Sequence, residues 1–156
     1  MANAKETLPK LLEIDGCLGA CIVDSNSGMT LGSAGSPEKQ IQDVFERVVN
    51  DIPGFIAASL VDLESGMTLG SRSSRNDFDL TAASAYNSEM VKQKLRIMKA
   101  LNLRTTLEDM LLTLGDQIHL IKLVSPSSFV YLAADRASSN LAIVRNAVNK
   151  HAGALT

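Results

Sequence analysis

The sequence predicts an α/β protein of the α+β type: a five-stranded antiparallel sheet with helices on both faces, preceded by an additional helix and β-hairpin. Three observations lead there. A strand–turn–strand block is written twice. Two segments carry the i, i+3, i+4, i+7 spacing of amphipathic helices. Beyond Thr105 the period changes to β-like runs separated by short turns. The repeat comes first, because self-similarity decides how the remainder is parsed. Ile14-Asp-Gly-Cys-Leu-Gly-Ala-Cys-Ile-Val-Asp-Ser-Asn-Ser-Gly-Met-Thr-Leu-Gly-Ser33 returns as Ile52-Pro-Gly-Phe-Ile-Ala-Ala-Ser-Leu-Val-Asp-Leu-Glu-Ser-Gly-Met-Thr-Leu-Gly-Ser71, at a constant offset of 38. Only the second copy is followed by enough chain to complete a domain. Residues 1–35 therefore read as an extension, 36–151 as the domain, and 152–156 as a flexible tail.

In chain order, residues 5–14 can form a short helix with Leu8, Leu11, Leu12 and Ile14 on one side, ended by Gly16. Leu18 to Asp24 read as a strand, Ser25 to Gly28 as a turn, and Met29 to Ser33 as the return. Asn-Ser-Gly suits the turn, since Asn offers side-chain hydrogen bonding and Gly tolerates positive φ. Ser36-Pro37-Glu38 opens the first strong helix: the serine can cap free N–H groups, proline fits the first helical position, and the acid favours the positive end of the dipole. Ile41, Val44, Phe45, Val48, Val49 and Ile52 give its apolar face, and Pro53-Gly54 stops it. Phe55 to Val61 are apolar or small throughout, which predicts a strand covered on both faces. Leu63 to Gly66 form its turn and Met67 to Ser71 the return.

Asn76 or Asp77 can cap a long helix running to about Asn102. Its expected apolar stripe is Leu80, Ala83, Tyr86, Met90, Val91, Ile97, Met98 and Leu101, with Lys92, Arg96 and Lys99 on the opposite side. Leu107 to Leu114, Gln117 to Val124 and Ser128 to Ala134 then form an antiparallel meander across Gly115-Asp116 and Ser125-Pro-Ser127. A last helix carries Leu141, Val144 and Val148 on one face.

Composition excludes several function classes. The chain has 156 residues, 46% of them hydrophobic, which supplies a core without metal or disulfide staples. A net charge of −2, with no basic run, argues against a non-specific nucleic-acid binder. No stretch approaches the ~20 apolar residues of a membrane span, and the N-terminus lacks the apolar region of a secretory signal. A cytoplasmic location is expected. Cys17 and Cys21 are too far apart on one strand, roughly 13 Å at ~3.3 Å per residue, to bond to each other, and read as reduced thiols.

No catalytic constellation emerges. His119 is flanked by apolar strand residues and His151 lies near the C-terminal end, with no ligand-spaced Cys or carboxylate beside either, so no metal site is expected. Asp24 and Asp62 occupy equivalent hairpin positions and read as turn initiators. Ser-Gly-Met-Thr-Leu-Gly lacks the lysine of a phosphate loop and precedes a strand, so it offers no helix N-terminus to phosphate. The expectation is a protein that is not an enzyme and has no cofactor.

The order of elements, with Ile52-Pro-Gly-Phe-Ile-Ala-Ala-Ser-Leu-Val-Asp62 before a Gly-containing turn, Thr106 to Leu114 opening the meander, and Ala134-Asp-Arg136 followed by Asn140-Leu-Ala-Ile-Val-Arg145, resembles the roadblock/dynein light chain family over residues 36 to 151. Residues 1–35 depart from it as an extra helix–hairpin. The resemblance implies a homodimer, and a regulatory or tethering role toward a small Ras-like GTPase. Mapped onto this chain, it implies a dimer interface at Leu107, Met110 and Leu112 on the third domain strand and at Met90 and Ile97 on the long helix. Lys92, Arg96 and Lys99 would form the partner surface, and Met110→Lys is expected to yield a monomer. The alternative reading is a small-ligand sensor of PAS-like or profilin-like architecture. Its weakness is that 4% aromatics and no Trp leave little to line a pocket.

Overall fold

In the computed structural model the described residues are Lys10, 19–23, 30–35 and 37–155. The helix expected over 5–14 and the first hairpin's turn lie outside them, Lys10 apart. The chain divides into two compact units, Met1–Gln40 and Ile41–Thr156. In the first, β1 (Gly19–Val23) and β2 (Thr30–Gly35) form a two-stranded antiparallel sheet.

Helix α1 (Pro37–Asp51) leads to β3 (Phe55–Asp62), β4 (Thr68–Ser73), α2 (Leu80–Ala100), β5 (Asp109–Thr113), β6 (Gln117–Ser125), β7 (Ser128–Asp135) and α3 (Leu141–Ala152). A 3-10 turn, Gly153–Leu155, follows. The five strands pair antiparallel in the order β4-β3-β7-β6-β5. The expected sheet and meander are therefore present, and β3 and β7 are buried almost throughout.

Alternation along the strands sorts the core into two layers. Ala58, Leu60, Leu120, Val130 and Leu132 meet Phe45 and Val48 of α1 and Val144 and Val148 of α3. Ile56, Val61, Ile121, Phe129 and Tyr131 meet Val91 of α2, with Phe78, Met90 and Leu95 partly buried beside them. The close fit of α1 on the sheet depends on Gly70, where an added Cβ would fall 2.6 Å from Ile41 Cγ2.

The two hairpins share a pairing register. Gly19↔Gly35, Ala20↔Ala34, Cys21↔Ser33, Ile22↔Gly32 and Val23↔Thr30 reproduce Ala57↔Ser73, Ala58↔Arg72, Ser59↔Ser71, Leu60↔Gly70 and Val61↔Thr68. Each hairpin breaks register at the equivalent step, Ile22/Val23 in one and Leu60/Val61 in the other. In the second hairpin Asp62 initiates the turn as expected. Its Oδ2 accepts from the Ser65 N–H and hydroxyl at 2.8 and 2.6 Å, which holds its carboxyl below the usual carboxylate range.

Helix α2 differs from its sequence reading in two respects. Its cap is Asp79, whose carboxylate accepts from Ala82 N–H at 2.9 Å, not Asn76 or Asp77. Phe78 turns inward to stack on Tyr131, ring centroids 6.5 Å apart, and Asp77 pairs with Arg75 instead. Second, the expected stripe is only partly inside. Val91 and Met98 are buried, but so are Ser84, Asn87 and Ser88, while Tyr86, Ile97 and Leu101 face solvent. Leu80, Ala83 and Met90 pack inward as expected, and hydrogen bonds explain the buried serines. Thr68 Oγ1 donates to Ser84 Oγ at 3.0 Å, Ser84 bonds Ser59 at 3.0 Å, and Ser88 Oγ donates to the Leu63 carbonyl at 2.7 Å. Small polar side chains let the helix approach the β3–β4 turn closely, where Gly66 (φ +73°) leaves a Cβ position 3.3 Å from Ala85 Cα.

Candidate interaction surface

One lateral edge of the sheet is β5, which among the described residues pairs with β6 alone. Leu114 N–H donates to Gln117 O and Leu123 N–H to Glu108 O. Facing residues alternate in an antiparallel ladder, so even-numbered positions 108–114 bond to β6. Asp109, Leu111 and Thr113 consequently turn their N–H and C=O groups toward the open edge. Such a row of unpaired groups is a template for another strand.

The expected interface residues distribute around this edge. Leu107, Met110 and Leu112 are half-buried and pack under α2, while Leu111 packs on the α1/α3 layer. A lysine at Met110 would enter that packing, so Met110→Lys would perturb the fold as well as any pairing. On α2, Met90 is half-buried and Ile97 is 41% exposed. With Tyr86 (77%) and Leu101 (65%), Ile97 lies on a solvent-facing apolar stripe at spacings close to helical turns. Between the end of α2 and the sheet, the 103–107 strap borders an open recess of about 620 Å³ lined by Leu95, Met98, Leu103, Leu107 and Leu123.

The basic strip is less bare than its sequence suggests. Lys92 Nζ donates to the Glu64 carbonyl at 2.7 Å and to Glu89 at 2.8 Å, and Arg96 lies 3.9 Å from the same carboxylate. Lys99 borders the recess. Lys92 thus braces α2 against the β3–β4 turn.

Sequence reasoning missed what Ala134-Asp-Arg136 and the segment from Asn140 to Arg145 do. Asn140 caps α3, its Oδ1 accepting from Ala142 and Ile143 N–H at 3.0 Å each. Arg145 bonds Asp109 at 2.7 Å, anchoring α3 to the first residue of β5. Arg136 donates to the Leu114 carbonyl at 3.0 Å, pinning the far end of β5. Asp135 accepts from Ala137 N–H at 2.8 Å to shape the exit from β7. These residues hold the edge strand in place from both ends. Their charge and order were visible in the sequence, but their partners lie on another element.

His119 is structural. Tyr131 hydroxyl lies 3.3 Å from Nδ1 and Gln117 Oε1 lies 2.9 Å from Nε2, and the Tyr131 ring meets the imidazole edge-on. Burial raises the Tyr131 pKa to about 12, so its hydroxyl stays protonated and can donate to Nδ1. His151 bonds Asp51 at 2.8 Å. Among the described residues no cluster of His, Cys, Asp or Glu could hold a metal ion. No helix among them is long and apolar enough to cross a membrane.

No family model and no curated protein matches the sequence. Solved structures do. A structure titled MglB with tetrameric arrangement superposes with a TM-score of 0.69 at 16% identity, covering 78% of this chain and 89% of that one. The gliding protein MglB from Thermus thermophilus gives 0.68 at 15% identity, over 78% and 90%. A roadblock/LC7 domain from Streptomyces avermitilis gives 0.60 at 10% identity, over 74% and 90%. At such identities the likeness concerns the backbone, and on that ground the chain has the roadblock fold.

Proposed function

We propose that the chain is a non-catalytic interaction protein that pairs with a second copy through the β5 edge and the outer face of α2, and that this pair regulates or tethers a small Ras-like GTPase. The observation that carries the reading is the outward row at Asp109, Leu111 and Thr113 on the β5 edge, together with the exposed Tyr86, Ile97 and Leu101 on and just after α2. Strand pairing would satisfy the former, and the proposed contact through the outer face of α2 would cover the latter. Met90 and Ile97 supply apolar area at the helix contact, and Leu107, Met110 and Leu112 support the strand from beneath. The tetrameric arrangement of one MglB structure agrees with self-association in this fold. The GTPase partner rests on the family resemblance, and Lys92, Arg96 and Lys99 are the surface offered to it.

Thr113→Pro tests the pairing. Thr113 is exposed, and proline there deletes an outward donor while leaving the β6 ladder intact. Light scattering should show a dimer for the native chain and a monomer for the variant. An unchanged mass would remove the edge from the reading. Nucleotide-dependent capture of a GTPase by immobilised protein, lost in Arg96→Glu, tests the partner. The recess under 103–107 favours one other reading, a small apolar ligand held between helix and sheet; melting shifts in a metabolite screen would support it.

A further inference from the structure

We propose that the 103–107 strap seats a single-chain amphiphile with an anionic head, such as a fatty carboxylate. Its hydrocarbon lies in the recess at Leu95, Met98 and Leu123, and its head reaches Lys94 and Lys122. The proposal rests on reading that recess as a ligand site and gives the ligand a chemical class.

The recess of about 620 Å³ is of a size common for small-molecule sites. Its apolar walls are aliphatic, with Leu95, Met98, Leu103, Leu107, Leu123 and Val124 among them. No aromatic ring and no carboxylate stands among its lining residues. Planar ligands are held by stacking on rings. Flexible aliphatic walls, a methionine included, adapt instead to a flexible chain.

A second open recess, about 540 Å³, adjoins the same strap and shares Met98, Leu103, Thr105, Thr106 and Leu107 with the first. A molecule lying on the strap therefore borders both. Here the lining is charged, with Lys94 of α2, Lys122 of β6 and Arg145 of α3. Arg145 and Asp109 neutralise each other at 2.7 Å. Lys122, half-buried opposite Asp109, and the exposed Lys94 have no hydrogen bond or ion pair among the described residues. Lys92 and Lys150, by contrast, are engaged by Glu89 and Asp51. Glu108 is the carboxylate left over in this lining. Two lysines against one glutamate leave a single net positive charge, which one anionic head balances. Thr105 and Thr106 are exposed and likewise have no hydrogen bond among the described residues, so their hydroxyl and N–H donors are available to an oxyanion. An aliphatic seat beside an unpaired cationic one is the complement of an acyl chain ending in a carboxylate.

The experiment titrates sodium decanoate, sodium octanoate and 1-decanol into the full chain by calorimetry, below the concentrations at which each aggregates. Decanoate should bind roughly tenfold more tightly than octanoate, as expected for two further buried methylenes. Lys122→Gln and Lys94→Glu should each weaken decanoate about tenfold, the loss of one hydrogen bond to a charged group, and leave 1-decanol unchanged. Leu103→Ser, at a residue 48% exposed, should erase the advantage of the longer chain. Equal affinity for decanoate and 1-decanol in every chain would overturn the anionic head and leave an apolar ligand standing. Equal affinity for octanoate and decanoate would overturn the hydrocarbon seat. Decanoate binding that none of these substitutions alters would place the ligand elsewhere and overturn the site. No binding of any of the probes would overturn this proposal and the ligand reading together.

Discussion

The two faces of the sheet are finished differently. On the α1/α3 side the contact is aliphatic and aromatic, with Phe45, Leu120, Leu132 and Val144 fully buried. On the α2 side the first half of the helix meets the sheet through Ser59, Thr68, Ser84 and Ser88, while Tyr86, Ile97 and Leu101 remain in water. The first face is closed by the chain itself. The second adds small, hydrogen-bonded residues to Val91 and Met98 on its inner side and leaves three large apolar residues outward, where a further surface could cover them. Stability and association should therefore separate by face, and mutations can test that separation.

The largest effect is expected at Phe45. Phe45→Ala removes a side chain with no exposed area and should cost about 3–5 kcal/mol in urea unfolding. A loss below about 1 kcal/mol would mean that the α1/α3 layer is not the main core. At the other face, Gly66→Ala forces an L side chain into positive φ and against Ala85. It should cost about 1–2 kcal/mol, measurable as a lowered midpoint, and should loosen α2 without disturbing α1.

Tyr86→Ala with Ile97→Ser should leave unfolding of the monomeric Thr113→Pro chain within about 0.5 kcal/mol, yet weaken dimerisation of the otherwise native chain. A large stability loss in the monomer would show that the stripe belongs to the fold and not to an interface. The smallest effect concerns pH. Burial pushes His119 below its ordinary value of 6.5, against an opposing pull from Asp116. The unfolded chain then binds the proton more readily, so this contribution is intact above about pH 6.5 and is lost as pH falls through the lowered folded value. His119→Gln should flatten the stability curve over that acid window; an identical slope in both chains would assign the pH dependence elsewhere.

Much of the molecule was legible in one dimension. The constant offset of the repeat implied one hairpin geometry built twice, and the registers agree because turn chemistry and strand phase are local properties. Pro37-Glu38 and the spacing from Ile41 to Ile52 marked α1, since an amphipathic period needs no knowledge of its partner. Tertiary structure decided which face of α2 turns inward and what Arg136 and Arg145 do. Periodicity registers how apolar a residue is, not how closely two backbones approach. At the β3–β4 turn the approach is set by Gly66 and by hydroxyl hydrogen bonds, so serines were buried where leucine-like residues were expected. The arginines' acceptors, the Leu114 carbonyl and Asp109, lie on a strand whose position exists only once the sheet has formed.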